Sequence, residues 1–302
     1  FEVLFVHERP GDPALAAVAA ARAAVPDVDA RAIEGRDPEA INPKVAVLIR
    51  GQAAARHDLI ASADSDVRPD PLYLRDIANG LADADVVSFV PILFGARKFW
   101  ARLAQFTFNT VGILGVILER GRAVTGSTIG VRRTALESIG GYRAVAGAIA
   151  DDYCLGLALR KAGCRFALAR RPTRLFTPGG DFRATASWLA RWMRTIRSAA
   201  PIHFWVGLPV TAGPLLLAAA AIGGSAPAAW MLLVLAACRI LVTVVVDFRF
   251  VWDRSLLRAL PLLPLAWLTE FALFLTAFGG NTVVWRGRRY RLKAGRASLE
   301  SA

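Results

Sequence analysis

Short apolar runs alternate with helical patterns through the first 200 of the 302 residues. A helix is predicted from Asp12, which has the character of an N-cap, with Pro13 at the first helical position. Buried strands that alternate with helices predict an α/β fold around a parallel sheet, whose ligands bind beyond the carboxyl ends of the strands. The predicted strands are residues 1–6, "VDARAIE" (28–34), "DLIASADSD" (58–66) and "ADVVSFVPIL" (84–93).

The pattern changes after residue 200, where two long segments carry almost no charge. Residues 203–222 and 227–247 are each about 20 residues long, which is enough to span the hydrocarbon core of a bilayer. We therefore predict a domain over residues 1–200 that carries the chemistry and a membrane domain over 201–302. Arg239 interrupts the second span, and we expect its side chain to snorkel to the membrane surface.

Residues 95–120 form a long apolar segment within the first domain. Large side chains such as Phe99 and Leu103 are compatible with a helix of the protein core. Arg97, Lys98 and Trp100 are equally compatible with a helix that lies in the membrane interface. The sequence leaves both alternatives open.

A further apolar segment, residues 256–280, is predicted to be re-entrant or interfacial rather than a third span. A third crossing would place the basic tail, residues 285–302, on the outer face, against the positive-inside rule. Pro261 and Pro264 favour a break, and Glu270 is costly in the middle of a bilayer. A broken pair of short helices would place the basic tail beside the active site.

Composition narrows the class of partner. The chain is 55% hydrophobic and 20% charged, and its 37 Lys and Arg exceed its 24 Asp and Glu to give a net charge of +13. Aromatic residues are not interleaved with the basic ones as in a groove for single-stranded nucleic acid. We therefore expect a membrane surface and a phosphorylated substrate, and no nucleic acid. Cys154, Cys164 and Cys238 form no CxxC pair and favour a reducing, cytoplasmic setting.

Two aspartates, Asp64 and Asp66, follow the third predicted strand with one serine between them. Such a DxD pattern is often only a solvated turn. At the end of a buried strand it also suits Mg²⁺ or Mn²⁺, which are held by one or two carboxylates, waters and substrate phosphates.

A second acidic pair, Asp151 and Asp152, precedes an amphipathic helix. Acidic residues are favoured at this position simply because they interact with the free N–H groups and the helix dipole. A carboxylate here is also well placed to act as a general base, provided that it stays ionised and reaches the hydroxyl of an acceptor.

Two more segments carry candidate site residues. In "TGSTIGVRR", Gly126 allows a backbone to approach a sugar closely, although a plain turn explains it equally well. The segment 187–197, "SWLARWMRTIR", alternates Arg and Trp. Arginine forks suit a diphosphate, whereas a basic amphipathic helix next to a membrane is often only a surface anchor.

Taken in order, these motifs resemble the membrane-bound, inverting GT-A glycosyltransferases that include ceramide glucosyltransferase. The DxD pair is followed by "TGS…RR.AL…GGY", "ADDY.LG.AL" and "RW" before the membrane helices. "RWMRTIR" and the terminal "VVWRGRRYRL" are most similar to bacterial glycosyltransferases of hopanoid biosynthesis. The resemblance covers nearly the whole chain and implies a GT-A nucleotide-sugar domain, here N-terminally incomplete, followed by membrane helices.

The resemblance also implies roles for individual residues. Asp64 and Asp66 would bind the metal and the nucleotide diphosphate, together with Lys44 of "INPK", Gly126 and Arg191. Asp152 would be the catalytic base, and Asp151 and Trp192 would bind the acceptor. Trp188 stands where the family's (Q/R)xxRW motif has Gln or Arg.

The predicted function is transfer of a hexose or N-acetylhexosamine from a UDP-sugar to a hydroxyl of a membrane lipid, such as a hopanoid or ceramide-like acceptor, with inversion and with Mg²⁺ or Mn²⁺. The predicted location is the inner membrane, multi-pass, with the catalytic domain in the cytoplasm. Two alternatives stay open, namely a processive polysaccharide synthase and an inactive scaffold that keeps the fold.

Overall fold

A computed structural model describes residues 1–118, 124, 127–177 and 180–300 of the chain. Its strands are β1 (Glu2–His7), β2 (Asp29–Glu34), β3 (Leu59–Ala63), β4 (Val67–Arg68), β5 (Val86–Ser88), β6 (Pro91–Phe94), β7 (Thr128–Arg132), β8 (Phe166–Leu168), β9 (Thr173–Phe176), β10 (Thr282–Trp285), β11 (Arg288–Lys293) and β12 (Arg296–Leu299). Its α-helices are α1 (Ala14–Ala24), α2 (Pro43–Ala54), α3 (Tyr73–Asp83), α4 (Phe99–Thr107), α5 (Leu114–Leu118), α6 (Arg133–Ser138), α7 (Asp151–Lys161), α8 (Phe182–Ala199), α9 (Pro201–Ile222), α10 (Ala226–Val246), α11 (Ser255–Arg258) and α12 (Leu263–Thr276).

The predicted α/β class is confirmed, but the expectation of a wholly parallel sheet is wrong. The central sheet has the order β3-β7-β5-β8, and β7 runs antiparallel to both of its neighbours. Thr128, at the start of β7, lies opposite Ala63, at the end of β3. The chain therefore enters β7 from the edge at which β3 ends, and an alternation of strands and helices does not encode that reversal.

The single strand predicted at residues 84–93 is two strands in different sheets. β5 lies in the central sheet, whereas β6 pairs with β9 in a second sheet of order β4-β9-β6. The residues between them, Phe89 and Val90, are buried in two different clusters of the core. A continuous apolar run does not reveal that the chain changes sheets within it.

Residues 99–118 combine α4, a π-helical turn at Phe108–Gly112 and α5. Of the most apolar 18-residue window in this segment, 56% is buried inside the protein. Leu103 and Phe106 pack into the same cluster as residues of α10 and α12. The segment thus contributes to a core, while Phe99 and Leu118 are exposed at its ends.

Helix α9 and the helical segment Ala226–Val251 are long and apolar enough to cross a membrane. Only 6% and 17% of their most apolar windows are buried inside the protein. The residues 256–280 form α11, a 3₁₀ turn at Leu260–Leu262 and α12. Because α12 has 14 residues, it is about 21 Å long, shorter than the hydrocarbon core of about 30 Å.

The prediction that Arg239 snorkels is wrong. Its side chain is 9% exposed, and its Nη2 lies 2.6 Å from Oε1 of Glu270, which is 4% exposed. The same Nη2 donates to Thr110 Oγ1 at 2.8 Å. A carboxylate thirty-one residues away along the chain makes burial of the arginine possible, and hydropathy alone does not identify such a partner.

The basic tail is a folded unit. Strands β10, β11 and β12 form an antiparallel sheet whose inner face buries Val283, Tyr290 and Leu292 against Ile149. Most of the arginines alternate with these apolar positions and face outward, as the burial pattern of β11 shows. The sheet therefore packs against the loop that precedes α7.

Candidate active site

The first acidic pair lies where β3 ends and β7 begins. The N–H of Asp64 donates to the carbonyl of Ser127 at 2.9 Å, and the N–H of Val67 donates to the carbonyl of Asp64 at 3.1 Å. The first bond joins the end of β3 to the residue before β7, and the second closes a turn in which Asp64 is half-buried and Asp66 is exposed. The turn faces a cavity and does not point away into solvent.

Lys44 is held beside this turn by the start of α2. Asn42 caps that helix, and its Oδ1 accepts from the N–H groups of Lys44 at 2.9 Å and Val45 at 3.2 Å. Its Nδ2 donates to the carbonyl of Ala148 at 2.6 Å. The buried Asn42 thus ties the start of α2 to the loop that leads into α7.

The ammonium of Lys44 lies between two carboxylates. Its Nζ is 2.8 Å from Asp64 Oδ1 and 3.5 Å from Asp151 Oδ2. Burial alone would lower the pKa of Lys44, but Asp151 and Asp64 outweigh it and raise the pKa. Burial raises the pKa of Asp64 to about 6, although the charge of Lys44 and its hydrogen bond oppose the shift.

The second acidic pair occupies the first turn of α7. No side chain caps this helix, so Asp151 and Asp152 supply the negative charge that its N-terminus favours. Asp152 Oδ1 accepts from the N–H of Tyr153 at 2.8 Å. Both aspartates line the same cavity as the DxD turn.

Helix α8 contributes Arg191, Trp188 and Trp192 to this cavity. The two indole rings are 5.2 Å apart, and the ring of Trp192 lies 5.3 Å from that of Phe108. Burial lowers the pKa of Arg191. Arg191 forms no ion pair with any residue that the structure describes.

The neighbouring arginines of α8 have other partners. Arg194 donates to the carbonyls of Thr276 and Thr282, each at 3.3 Å, and Arg197 donates to the carbonyl of Gly280 at 3.0 Å. Both therefore fasten α8 to the end of α12 and the chain that follows it. Three arginines that look equivalent in the sequence are thus separated by the fold, and one of them faces the cavity.

The cavity has a volume of about 490 Å³ and joins the predicted site residues. Its charged lining residues are Lys44, Asp64, Asp66, Asp151, Asp152, Arg191 and Arg286, and its apolar part includes Pro91, Leu93, Phe108, Leu175, Trp188 and Trp192. A cavity of this kind suits a ligand that is charged at one end and apolar at the other. Gly126, predicted to bind the nucleotide sugar, lies outside the described residues.

The polar part fits a hard divalent cation in one specific sense. Among the described residues, no three His, Cys, Asp or Glu side chains form a cage for a metal. Mg²⁺ and Mn²⁺ do not need one, since one or two carboxylates suffice when waters and phosphate oxygens complete the shell. Asp64 and Asp66 supply such a pair in the lining of the cavity, and Lys44 contacts Asp64 at 2.8 Å.

Sequence reasoning missed several residues that line the cavity, and two segments supply four of them. Phe108 and Gly112 come from the π-helical turn, a feature that often marks functional positions. Trp285 and Arg286 come from the hairpin between β10 and β11. The motif "VVWRGRRYRL" singled out the right segment of the chain, but not which of its residues face the site.

The profile of one family, Glycosyl transferase family 21, matches residues 1–298. Ceramide glucosyltransferase 1 of Caenorhabditis elegans is 25% identical over 98% of this chain and 66% of its own length. Ceramide glucosyltransferase 3 of the same organism is 24% identical over 64% of this chain and 44% of its own length. The chain therefore spans less than two thirds of the length of these curated relatives.

Among solved structures, the chain is similar to a mannosyltransferase from Pyrobaculum calidifontis in complex with GDP-Man and Mn²⁺. The TM-score is 0.51, with 20% identity over 91% of this chain and 76% of the other. The similarity confirms that the α/β domain has the GT-A fold.

Proposed function

The chain belongs to glycosyl transferase family 21, and on that premise we propose that it transfers a sugar from a nucleotide-sugar donor to the hydroxyl of a membrane lipid. The ceramide glucosyltransferase relatives support a lipid acceptor, and their name supports a glucose donor as the first to be tried. The finer proposal is a hexose or N-acetylhexosamine from a UDP-sugar, transferred with inversion. A hopanoid or a ceramide-like lipid is the proposed acceptor.

One observation carries the proposal, namely that a single cavity joins four carboxylates to a wall of apolar and aromatic side chains. Sugar nucleotides are polar and doubly charged, whereas a lipid acceptor is apolar except at its hydroxyl. A transferase for these two substrates needs both environments to meet at the reacting atoms. The described part of the cavity has both, and it lies beside helices whose outer surfaces are apolar.

The donor is proposed to bind in the polar part. Asp64 and Asp66 would hold a divalent cation, which would offset the negative charge that develops on the departing nucleotide diphosphate. Lys44 would keep Asp64 ionised and oriented, as its 2.8 Å contact with that carboxylate indicates. Arg191, which has a fork of donors and no ionic partner among the described residues, would bind diphosphate oxygens.

The acceptor is proposed to enter through the apolar part. Asp152 would accept the proton of the lipid hydroxyl while that oxygen attacks the anomeric carbon and the nucleotide diphosphate leaves from the opposite face. One displacement of this kind inverts the configuration at the anomeric carbon. Trp192 would line the path of the acceptor, and Asp151, whose Oδ2 is 3.5 Å from Lys44, would contact the acceptor while steadying the lysine.

We also propose how the protein lies in the membrane. Helices α9 and α10 would cross the inner membrane, with residues 1–200 in the cytoplasm, and residues 256–280 would re-enter without crossing. Burial of Glu270 against Arg239 removes one of the reasons for that last proposal. The length of α12 and the density of basic residues in 285–302 still support it.

The experiment that tests the function is a transfer assay with an open product search. Membranes that contain the protein are incubated with UDP-glucose, UDP-N-acetylglucosamine or GDP-mannose, and new glycolipids are identified by mass spectrometry. A new glycolipid that is absent from membranes carrying the Asp152→Asn variant supports the proposal. If no donor yields a glycolipid with any lipid extract, the proposed function is wrong.

A further inference from the structure

The hairpin between β10 and β11 has an unusual residue at its tip. Trp285 pairs with Arg288, so the turn consists of Arg286 and Gly287 alone. Their φ angles are +49° and +74°, the left-handed values that a two-residue turn of this type requires at both positions. Glycine, asparagine and aspartate adopt these angles at low cost, whereas residues with long side chains do not. The turn therefore has an arginine where local backbone energetics favour other residues.

The rest of the sheet places this tip beside the acidic helix. Ala148 forms a bridge with Arg296, and the N–H of Ala297 donates to the carbonyl of Gly147 at 2.8 Å. Ile149 is buried in the apolar cluster of the sheet. The loop before α7 is thus clamped to β12, and the tip reaches the cavity that Asp151 and Asp152 line.

Arg286 differs from Lys44, and resembles Arg191, in having no ion pair among the described residues. The lining described by the structure contains three cations, Lys44, Arg191 and Arg286. Lys44 is shared by two carboxylates. Arg286 forms no ion pair among the described residues, and its guanidinium lies 5.5 Å from the centre of the Trp285 ring. A cation that stacks on an indole keeps its edge donors available for an anion.

We propose that Arg286 is a donor-binding residue whose guanidinium binds phosphate oxygens of the nucleotide diphosphate, together with Arg191. This inference rests on the proposed function, since it assigns a ligand to the same cavity. It assigns the C-terminal sheet two roles, to hold the loop of Asp151 and Asp152 and to supply a second arginine for the diphosphate. The shared chemistry is phosphate binding, and a lipid headgroup is the other source of that group.

The test uses a variant that is compatible with the backbone conformation of the turn. Arg286→Gly removes the guanidinium and places the residue that best tolerates a φ of +49° at the tip. Arg288→Ala is the matched control, because Arg288 is an exposed arginine of the same hairpin that does not line the cavity. Each protein is purified in nanodiscs of neutral lipid, and binding of UDP and GDP with Mn²⁺ is measured by calorimetry.

We expect Arg286→Gly to weaken binding of the preferred nucleotide by about 10- to 100-fold, the effect of losing a charge-assisted hydrogen bond. Arg288→Ala should stay within about 2-fold of the wild type. Equal affinities in Arg286→Gly and wild type would overturn the inference and leave the proposed function intact. The binding measurement is repeated in nanodiscs of anionic lipid. If Arg286→Gly weakens nucleotide binding only there, Arg286 acts on lipid headgroups, and the inference is also overturned. If the wild type binds neither nucleotide, the inference and the proposed function are both wrong.

Discussion

Two clusters of charge in this protein use similar side chains in opposite ways. Arg239 of α10 and Glu270 of α12 form a 2.6 Å ion pair, and their side chains are 9% and 4% exposed. In the cavity, Lys44 and Asp64 form a 2.8 Å pair whose members are 16% and 35% exposed. The first pair is sealed by protein, and the second is open to a ligand.

The surroundings of the two pairs differ even more than the pairs themselves. Arg239 and Glu270 neutralise each other, and Thr110 takes a further hydrogen bond from the arginine. The cavity instead has three further carboxylates, together with Arg191 and Arg286, neither of which forms an ion pair among the described residues. A sealed pair fixes the positions of helices, whereas charges that line an open cavity can bind a substrate. Accessible charges that line a cavity thus mark a candidate site, and burial of a charge alone does not.

The largest expected effect is on catalysis in the open cluster. Asp152→Asn should lower the transfer rate by about 10²- to 10⁴-fold, because an amide cannot accept the proton of the acceptor hydroxyl. Nucleotide binding should be almost unchanged, which calorimetry with UDP and Mn²⁺ can check. Asp12→Asn is a suitable control, since Asp12 does not line the cavity and its Oδ1 only accepts from the N–H of Ala14, although Pro13 and not the predicted Asp12 is the N-cap of α1. Retention of more than a tenth of the wild-type rate would remove Asp152 from the role of base.

The next effect should fall on stability and belongs to the sealed pair. Glu270→Gln leaves the arginine buried without a counterion, and breaking such a pair costs about 3–5 kcal/mol of unfolding free energy. The double variant Arg239→Met with Glu270→Leu should recover most of that loss, because it removes both charges. Thermal unfolding in nanodiscs measures both. Equal destabilisation by the single and the double variant would contradict the account of a mutually neutralised pair.

A smaller effect is expected at the apolar end of the cavity. A Cβ at Gly112 would lie 3.1 Å from Cδ2 of Phe108, so Gly112→Ala should push this ring toward the path of the acceptor. We expect the KM for the lipid to rise by about 3- to 10-fold, or roughly 1 kcal/mol, while the KM for the donor stays unchanged. Gly115→Ala is the control, since nothing lies within 4 Å of a Cβ there. An equal response of both variants would exclude Gly112 from the acceptor path.

The smallest expected signal concerns the side of the membrane on which the cavity lies. In a cysteine-free background, Ser298→Cys should show only background labelling by an impermeant reagent applied outside intact cells. Ser298 is an exposed residue of β12, which is paired with the loop before α7. Strong labelling from outside would place the C-terminal sheet on the outer face and would require a third crossing by residues 256–280.

How far the sequence predicts this molecule depends on the range of the contacts involved. Asp64 and Asp66 were identifiable because a strand end and its turn are adjacent in the chain. Asp152 required the family resemblance, since helix capping explains an acidic residue at that position equally well. Neither the local sequence pattern nor the family resemblance predicted the reversal of β7, because the direction of a strand depends on the path of the segments before it.

The remaining surprises are contacts between residues far apart in the chain. Arg239 and Glu270 join two helices. In the sequence each helix is an apolar segment that contains one charged residue, and nothing in either segment indicates the partner of that residue. Arg286 reaches the cavity only because β12 is clamped to the loop before α7. Hydrophobic periodicity specifies which face of an element is buried, and it does not specify which other element covers that face.

The central claim is that the open cluster binds a metal-associated nucleotide diphosphate for sugar transfer to a lipid. Its most direct test is glycolipid formation by purified wild-type protein with Mn²⁺ and the preferred donor, compared with wild type in EDTA and with Asp66→Ala. Asp83→Ala, at an exposed carboxylate outside the cavity, is the control. The account predicts a product of inverted anomeric configuration from the wild type and the control, and almost none from the chelated enzyme or Asp66→Ala. Undiminished transfer by Asp66→Ala in the presence of EDTA would contradict it.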